Sequence, residues 1–130
     1  MRQAIYDHID SLTLGSFNLT NELPWSSAGT ALYLKNPKRI YVDVDQITQD
    51  LSIAALNGLI INNEQTVIRV FFTCDAKQLP SNYETIVSNI RAGRNTTDIT
   101  GVIRRECDVS TSFVEDMLVT EFEFRFTNIT

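Results

Sequence analysis

Leu118-Val119-Thr120-Glu121-Phe122-Glu123-Phe124-Arg125-Phe126-Thr127 alternates without a break near the end of the chain. Successive strand side chains point to opposite faces, so Phe122, Phe124 and Phe126 fall on one side and Glu121, Glu123, Arg125 and Thr127 on the other. One side suits a core and the other suits water or a partner, as in an antiparallel sheet covered on one face. Such a strand needs pairing partners and a covering layer.

Both can be read by moving back along the chain. Residues 101–109 form the preceding strand, with the polar Ser110-Thr111-Ser112 separating it from the last one. Before it, Leu79-Pro80-Ser81-Asn82-Tyr83-Glu84 contains a Ser-x-x-Glu capping box, which predicts a helix starting at Ser81 and Glu84. Tyr83, Ile86, Val87 and Ile90 make its buried face, and Gly93 closes it near Arg91 and Arg94. Residues 66–74 read as a strand with Ile68, Val70, Phe72 and Cys74 on one face. Asn62-Asn63 tolerates left-handed backbone and joins that strand to residues 58–61 as a β-hairpin. Residues 47–57 fit neither period and read as irregular. Over residues 39–45, Ile40, Val42 and Val44 alternate with Arg39, Tyr41, Asp43 and Asp45, which is a half-buried strand with Tyr41 and Asp43 on the polar side. Residues 16–36 carry no clear period, and Leu23-Pro24-Trp25 with the Gly29 that follows reads as a surface loop holding the lone tryptophan. Ile5, Ile9 and Leu12 place a helix over residues 2–14, stopped at Gly15.

The expected architecture is α+β: a mostly antiparallel sheet of about four to six strands with two helices packed on one face. With 130 residues and 43% apolar content, residues 1–130 are expected to form one domain that buries its core without staples. The net charge of −5, spread along the chain, argues against groove binding to DNA, which needs clustered Lys and Arg. The first residues carry no apolar run of signal-peptide length, and no stretch approaches a membrane span, so no membrane partner is expected.

Candidate chemistry reduces to isolated groups. Asp43 and Asp45, two apart on a strand, point the same way and would clamp a divalent cation only with a further carboxylate such as Asp75 or Asp108. Acids at strand edges more commonly guard against edge-to-edge pairing. His8 is the sole histidine, with no nucleophile beside it to form a triad. Cys74 and Cys107 lack the spacing of a redox pair or zinc site, and Glu106 and Asp108 work against a Cys107 thiolate. No glycine-rich phosphate loop is present. No catalytic residue, metal site or cofactor is therefore expected. Trp25 is a candidate anchor for the core or for a neighbouring subunit, and Arg104-Arg105 with Arg91 and Arg94 form a modest basic cluster.

In layout and length the chain resembles the tail terminator proteins of tailed bacteriophages, and more loosely their head-completion and neck proteins. The resemblance rests on a first helix, the Leu23-Pro24-Trp25 loop, the strand Arg39-Ile40-Tyr41-Val42-Asp43-Val44, the strand Thr66-Val67-Ile68-Arg69-Val70-Phe71-Phe72 followed by a helix, and the alternating last strand. It implies a structural virion protein that forms a homo-hexameric ring in the bacterial cytoplasm, caps the tail tube, ends tube polymerisation and joins the tail to the head connector. The implied partners are copies of itself, the tail tube protein, a head-completion or connector protein, and genomic DNA passing through the channel without specific binding. The expected contact residues are Trp25, Arg39, Tyr41, Asp43, Arg104, Glu121, Glu123 and Arg125. Another neck or tube component, or a cytosolic ligand-binding module with a pocket at Trp25, is the alternative.

Overall fold

The computed structural model describes residues 1–50 and 63–129. Its centre is the pair β4 (Asn63–Asp75) and β6 (Met117–Ile129), antiparallel over the full 13 residues of each. Phe122, Phe124 and Phe126 line up with Val70, Ile68 and Thr66, so the apolar rows of the two strands share a face. The phenylalanine rings repeat at 6.4 Å, two residues along one strand at about 3.3 Å each. The uninterrupted alternation fixes the register, because a one-residue slip would turn all three rings to the opposite face.

The other strands flank this pair. The sheet runs β1 (Asn18–Thr20), β2 (Arg39–Val42), β4, β6, β5 (Arg104–Val114), and β3 (Gln46–Asp50) also pairs with β4. Every pairing is antiparallel except β1 with β2. Helix α1 (Arg2–Asp10) contributes Ile5 and Ile9, and α3 (Tyr83–Arg91) contributes Ile86 and Ile90, to a core shared with Ile40, Val42, Ile68, Val70, Phe72, Cys107 and the phenylalanine row. The expected α+β class, with a mostly antiparallel sheet and two helices on one face, is what the structure has. The helices meet closely: His8 Nε2 lies 2.8 Å from Asn89 O, and a Cβ on Gly93 would come within 2.8 Å of His8 Cδ2. Gly93 is therefore a close-approach residue inside a short 3-10 turn, Ala92–Asn95, rather than a helix stop.

Several expectations change. The region 16–36 is not all loop: β1 and the four-residue helix α2 (Leu32–Lys35) lie in it, both too short to show a period. α1 ends at Asp10, not at residue 14. The capping box does not form, because Asn82 is the N-cap residue and makes no side-chain cap bond. Its amide lies instead where a Cβ on Gly15 would sit, at 2.5 Å, and Gly15 has φ +60°. Ser110-Thr111-Ser112 do not separate strands: they are part of β5, and the turn is Glu115-Asp116, with Glu115 at φ 56°.

The strand expected over residues 39–45 breaks at Val42. Val42 faces Val70, but Gln46 faces Val67, so β2 and β3 run along β4 with one extra residue between them. That is a β-bulge, which shifts the alternation and re-aims the side chains after it. Val44, expected in the core, is 47% exposed. Residues 47–50, expected to be irregular, belong to strand β3. The expected strand at residues 58–61 lies outside the described residues, and Asn63 belongs to β4, opposite Asp50.

Candidate interaction surface

The sheet face away from α1 and α3 divides in two. At the β2 end it is closed by aromatic packing: α2 and the loop before it carry Tyr33 and Trp25 onto Phe71, with ring centroids 4.7 and 4.9 Å away. Thr73 Oγ1 donates to Tyr33 O at 2.6 Å and ties α2 to β4. At the β5 end the face is open and densely charged. Arg125 is its hub, donating to Glu106 at 2.9 Å, Asp108 at 2.5 Å and Glu123 at 3.2 Å. Arg69 lies 3.6 Å from Glu121 and 3.8 Å from Glu123, and Arg104 lies 2.5 Å from Glu106. The alternation of β4, β5 and β6 puts all seven groups on one face, where cross-strand neighbours interact. Hydrogen bonds donated to Glu106 and Asp108 raise the Arg125 guanidinium above its ordinary value, so it stays cationic. Carboxylates outnumber cations here by four to three, counting Glu106, Asp108, Glu121 and Glu123 against Arg69, Arg104 and Arg125. Further along, Thr48, Asn63, Gln65, Ile103, Arg104 and Thr127 line an open depression of about 430 Å³.

Of the expected contact residues, Glu121, Glu123, Arg125 and Arg104 come together on this face. Arg39 is exposed elsewhere, 3.9 Å from Glu22. Trp25 is half-buried and anchored within its own chain on Tyr33 and Phe71. Two expectations are corrected: Tyr41 is fully buried and Asp43 is 7% exposed, so neither presents a side chain to a partner. Tyr41 does lie on the non-helical side, opposite Phe71, but the aromatic packing covers that part of the sheet.

The isolated reactive groups each have a structural occupation. Asp43 Oδ1 accepts from Val44 N at 2.8 Å within the bulge, whereas Asp45 Oδ2 pairs with the Met1 ammonium at 2.8 Å, so the two carboxylates serve different partners. Among the described residues, no group of three or more His, Cys, Asp or Glu is arranged to hold a metal ion. Cys74 and Cys107 are buried thiols. Burial pushes Cys107 up to about 12 against the opposing pull of Arg91 and Arg94, with Asp108 adding to the rise. The basic cluster is largely spent on backbone: Arg91 donates to Cys107 O, and Arg105 donates to Arg94 O, Thr96 O and Ile99 O, holding the loop before β5.

Sequence reasoning missed Arg69, Glu106 and Asp108 as members of the charged face. The signal was present, since Arg69 alternates with the apolar row of β4 and Glu106 and Asp108 flank Cys107, but only the register of β5 on β6 brings them to Arg125.

No family model matches the sequence, and no curated protein does. The fold itself is shared with a chain in the virion of a native gene transfer agent particle, at a TM-score of 0.56 and 14% identity, covering 100% of this chain and 95% of that one.

Proposed function

We propose that this chain is a structural protein of a phage-like virion, and specifically a tail-terminator subunit. Six copies form a ring that caps the tail tube, stops its polymerisation and joins it to the head connector, after assembly in the bacterial cytoplasm. The observation that supports this reading is the fold shared with a virion chain over essentially the whole of both chains. The charge-rich open face supplies surface for neighbouring subunits, and its polar pairs give orientation and specificity more than raw affinity. The proposal assigns the chain no catalysis and no cofactor.

Native mass spectrometry and negative-stain electron microscopy test it, on the purified protein alone and mixed with tail tube protein. Six-fold rings, or rings seated on tube ends that no longer elongate, are expected. A protein that never forms rings and leaves tube growth unchanged would refute the terminator role.

A further inference from the structure

Among the described residues, β5 is the outermost strand of the sheet on the β6 side, and it is 11 residues long. Arg91 covers it at Cys107 O, but beyond that point its surroundings thin out. Residues 110–114 are all exposed, with Phe113 at 72%, although Leu118 and Thr120, their β6 partners, are buried. Among the described residues, no hydrogen bond outside the β5–β6 ladder reaches the backbone of residues 108–114. Free strand edges are ordinarily blunted by charge, proline, a bulge or shortness. Val109-Ser110-Thr111-Ser112-Phe113-Val114 has no charge, no proline and no glycine, and it is rich in strand-forming residues. Left open, such a segment is an aggregation hazard.

The run is also symmetric about Thr111: apolar, Ser, Thr, Ser, apolar. The geometry points to its occupant: the same segment of a second copy, paired antiparallel across a two-fold axis at Thr111 so that the sheet continues from one chain into the other. In that register Val109 meets Phe113 of the second copy on the helical side, Thr111 meets its own counterpart, and Ser110 meets Ser112 on the other side. Phe113 loses its exposure, and Asp108 faces Val114 rather than another acid. A two-fold contact is self-complementary and so differs from the head-to-tail contact that closes a cyclic ring. It pairs free subunits or two rings, and it does not depend on the terminator reading.

The test uses the full chain. Sedimentation over a concentration series should show reversible dimers, weak as befits a small interface. Ser110→Lys with Ser112→Lys sets like charges opposite each other and should weaken dimers about tenfold or more, whereas Ser110→Lys with Ser112→Glu sets opposite charges and should restore them. Both positions are exposed, and unchanged thermal unfolding will show that both variants fold. Thr111→Cys should form a disulfide with its counterpart under mild oxidation, and the exposed control Thr100→Cys should not. The proposal fails if the wild type never dimerises, if the two charge variants behave alike, or if the Thr111→Cys protein does not cross-link. Rings from a wild-type chain that never dimerises through this strand would overturn this contact and leave the terminator reading standing. Dimers with this charge pattern but no rings would do the reverse.

Discussion

At the scale of single residues, the core sets the chemistry of the groups it encloses. Cys107 is 2% exposed opposite Phe124, and its thiol is raised from an ordinary 9.0 to about 12. Below pH 9 the folded and unfolded chains both hold this proton, so it adds no pH dependence. Between 9 and 12 the unfolded chain releases it first, and stability falls as the pH rises. Urea unfolding should therefore show a steeper alkaline loss in the wild type than in a Cys107→Ala chain, and iodoacetamide should leave Cys107 unmodified at pH 8 until the chain unfolds. Equal alkaline slopes in the two proteins would contradict this. Tyr83 shows the same dependence on burial in a hydrogen bond. Its hydroxyl lies 2.6 Å from Thr120 Oγ1, and Thr120 is fully buried. Tyr83→Phe strands that hydroxyl and should cost about 1–3 kcal/mol, measured by chemical denaturation. Sequence alone could place Tyr83 on the buried helix face, but not its partner, because Thr120 reads as one more polar residue before the Phe row.

At the scale of elements, what was legible depended on length and on isolation from neighbours. β4, β6 and α3 each run long enough to repeat their period, and their apolar rows are found where the alternation puts them. β1 and α2, with three and four residues, had no period to show. The hairpin tip differs in another way: Ser110, Thr111 and Ser112 lie on an exposed stretch of β5, and a polar run between two apolar ones reads as a turn. The bulge between β2 and β3 is the sharpest case, because one added residue overturns a valid alternation. It makes a clear prediction for two valines in near-identical sequence surroundings. Val42→Lys should prevent folding or cost several kcal/mol, since it buries an unpaired charge at a fully enclosed site. Val44→Lys, at an exposed site, should stay within about 0.5 kcal/mol of the wild type. Thermal unfolding of the two variants distinguishes the bulged register from a continuous strand, in which both would fail.

At the scale of the whole molecule, the sheet separates two kinds of surface. One face is consumed by α1, α3 and the phenylalanine row. The other is part aromatic and part charged, and its arginines are matched by a larger number of carboxylates. The chain as a whole carries −5, and Arg91 and Arg105, which sequence placed in a basic cluster, spend their donors on backbone carbonyls. Among the described residues, neither this cluster nor the charged face presents a row of free cations to follow a phosphate backbone. Phosphate contacts release counterions and give nucleic-acid binding its salt dependence, so a surface without them should show neither binding nor a salt slope. A ring built from such subunits would let a duplex pass its wall by repulsion rather than adhesion. The expected result is that labelled duplex DNA keeps its free mobility in a gel-shift series with the assembled protein, even at about 50 mM salt, where phosphate contacts are strongest. Retardation at low salt that fades as salt is raised would reveal a cationic lining and overturn this picture of the channel.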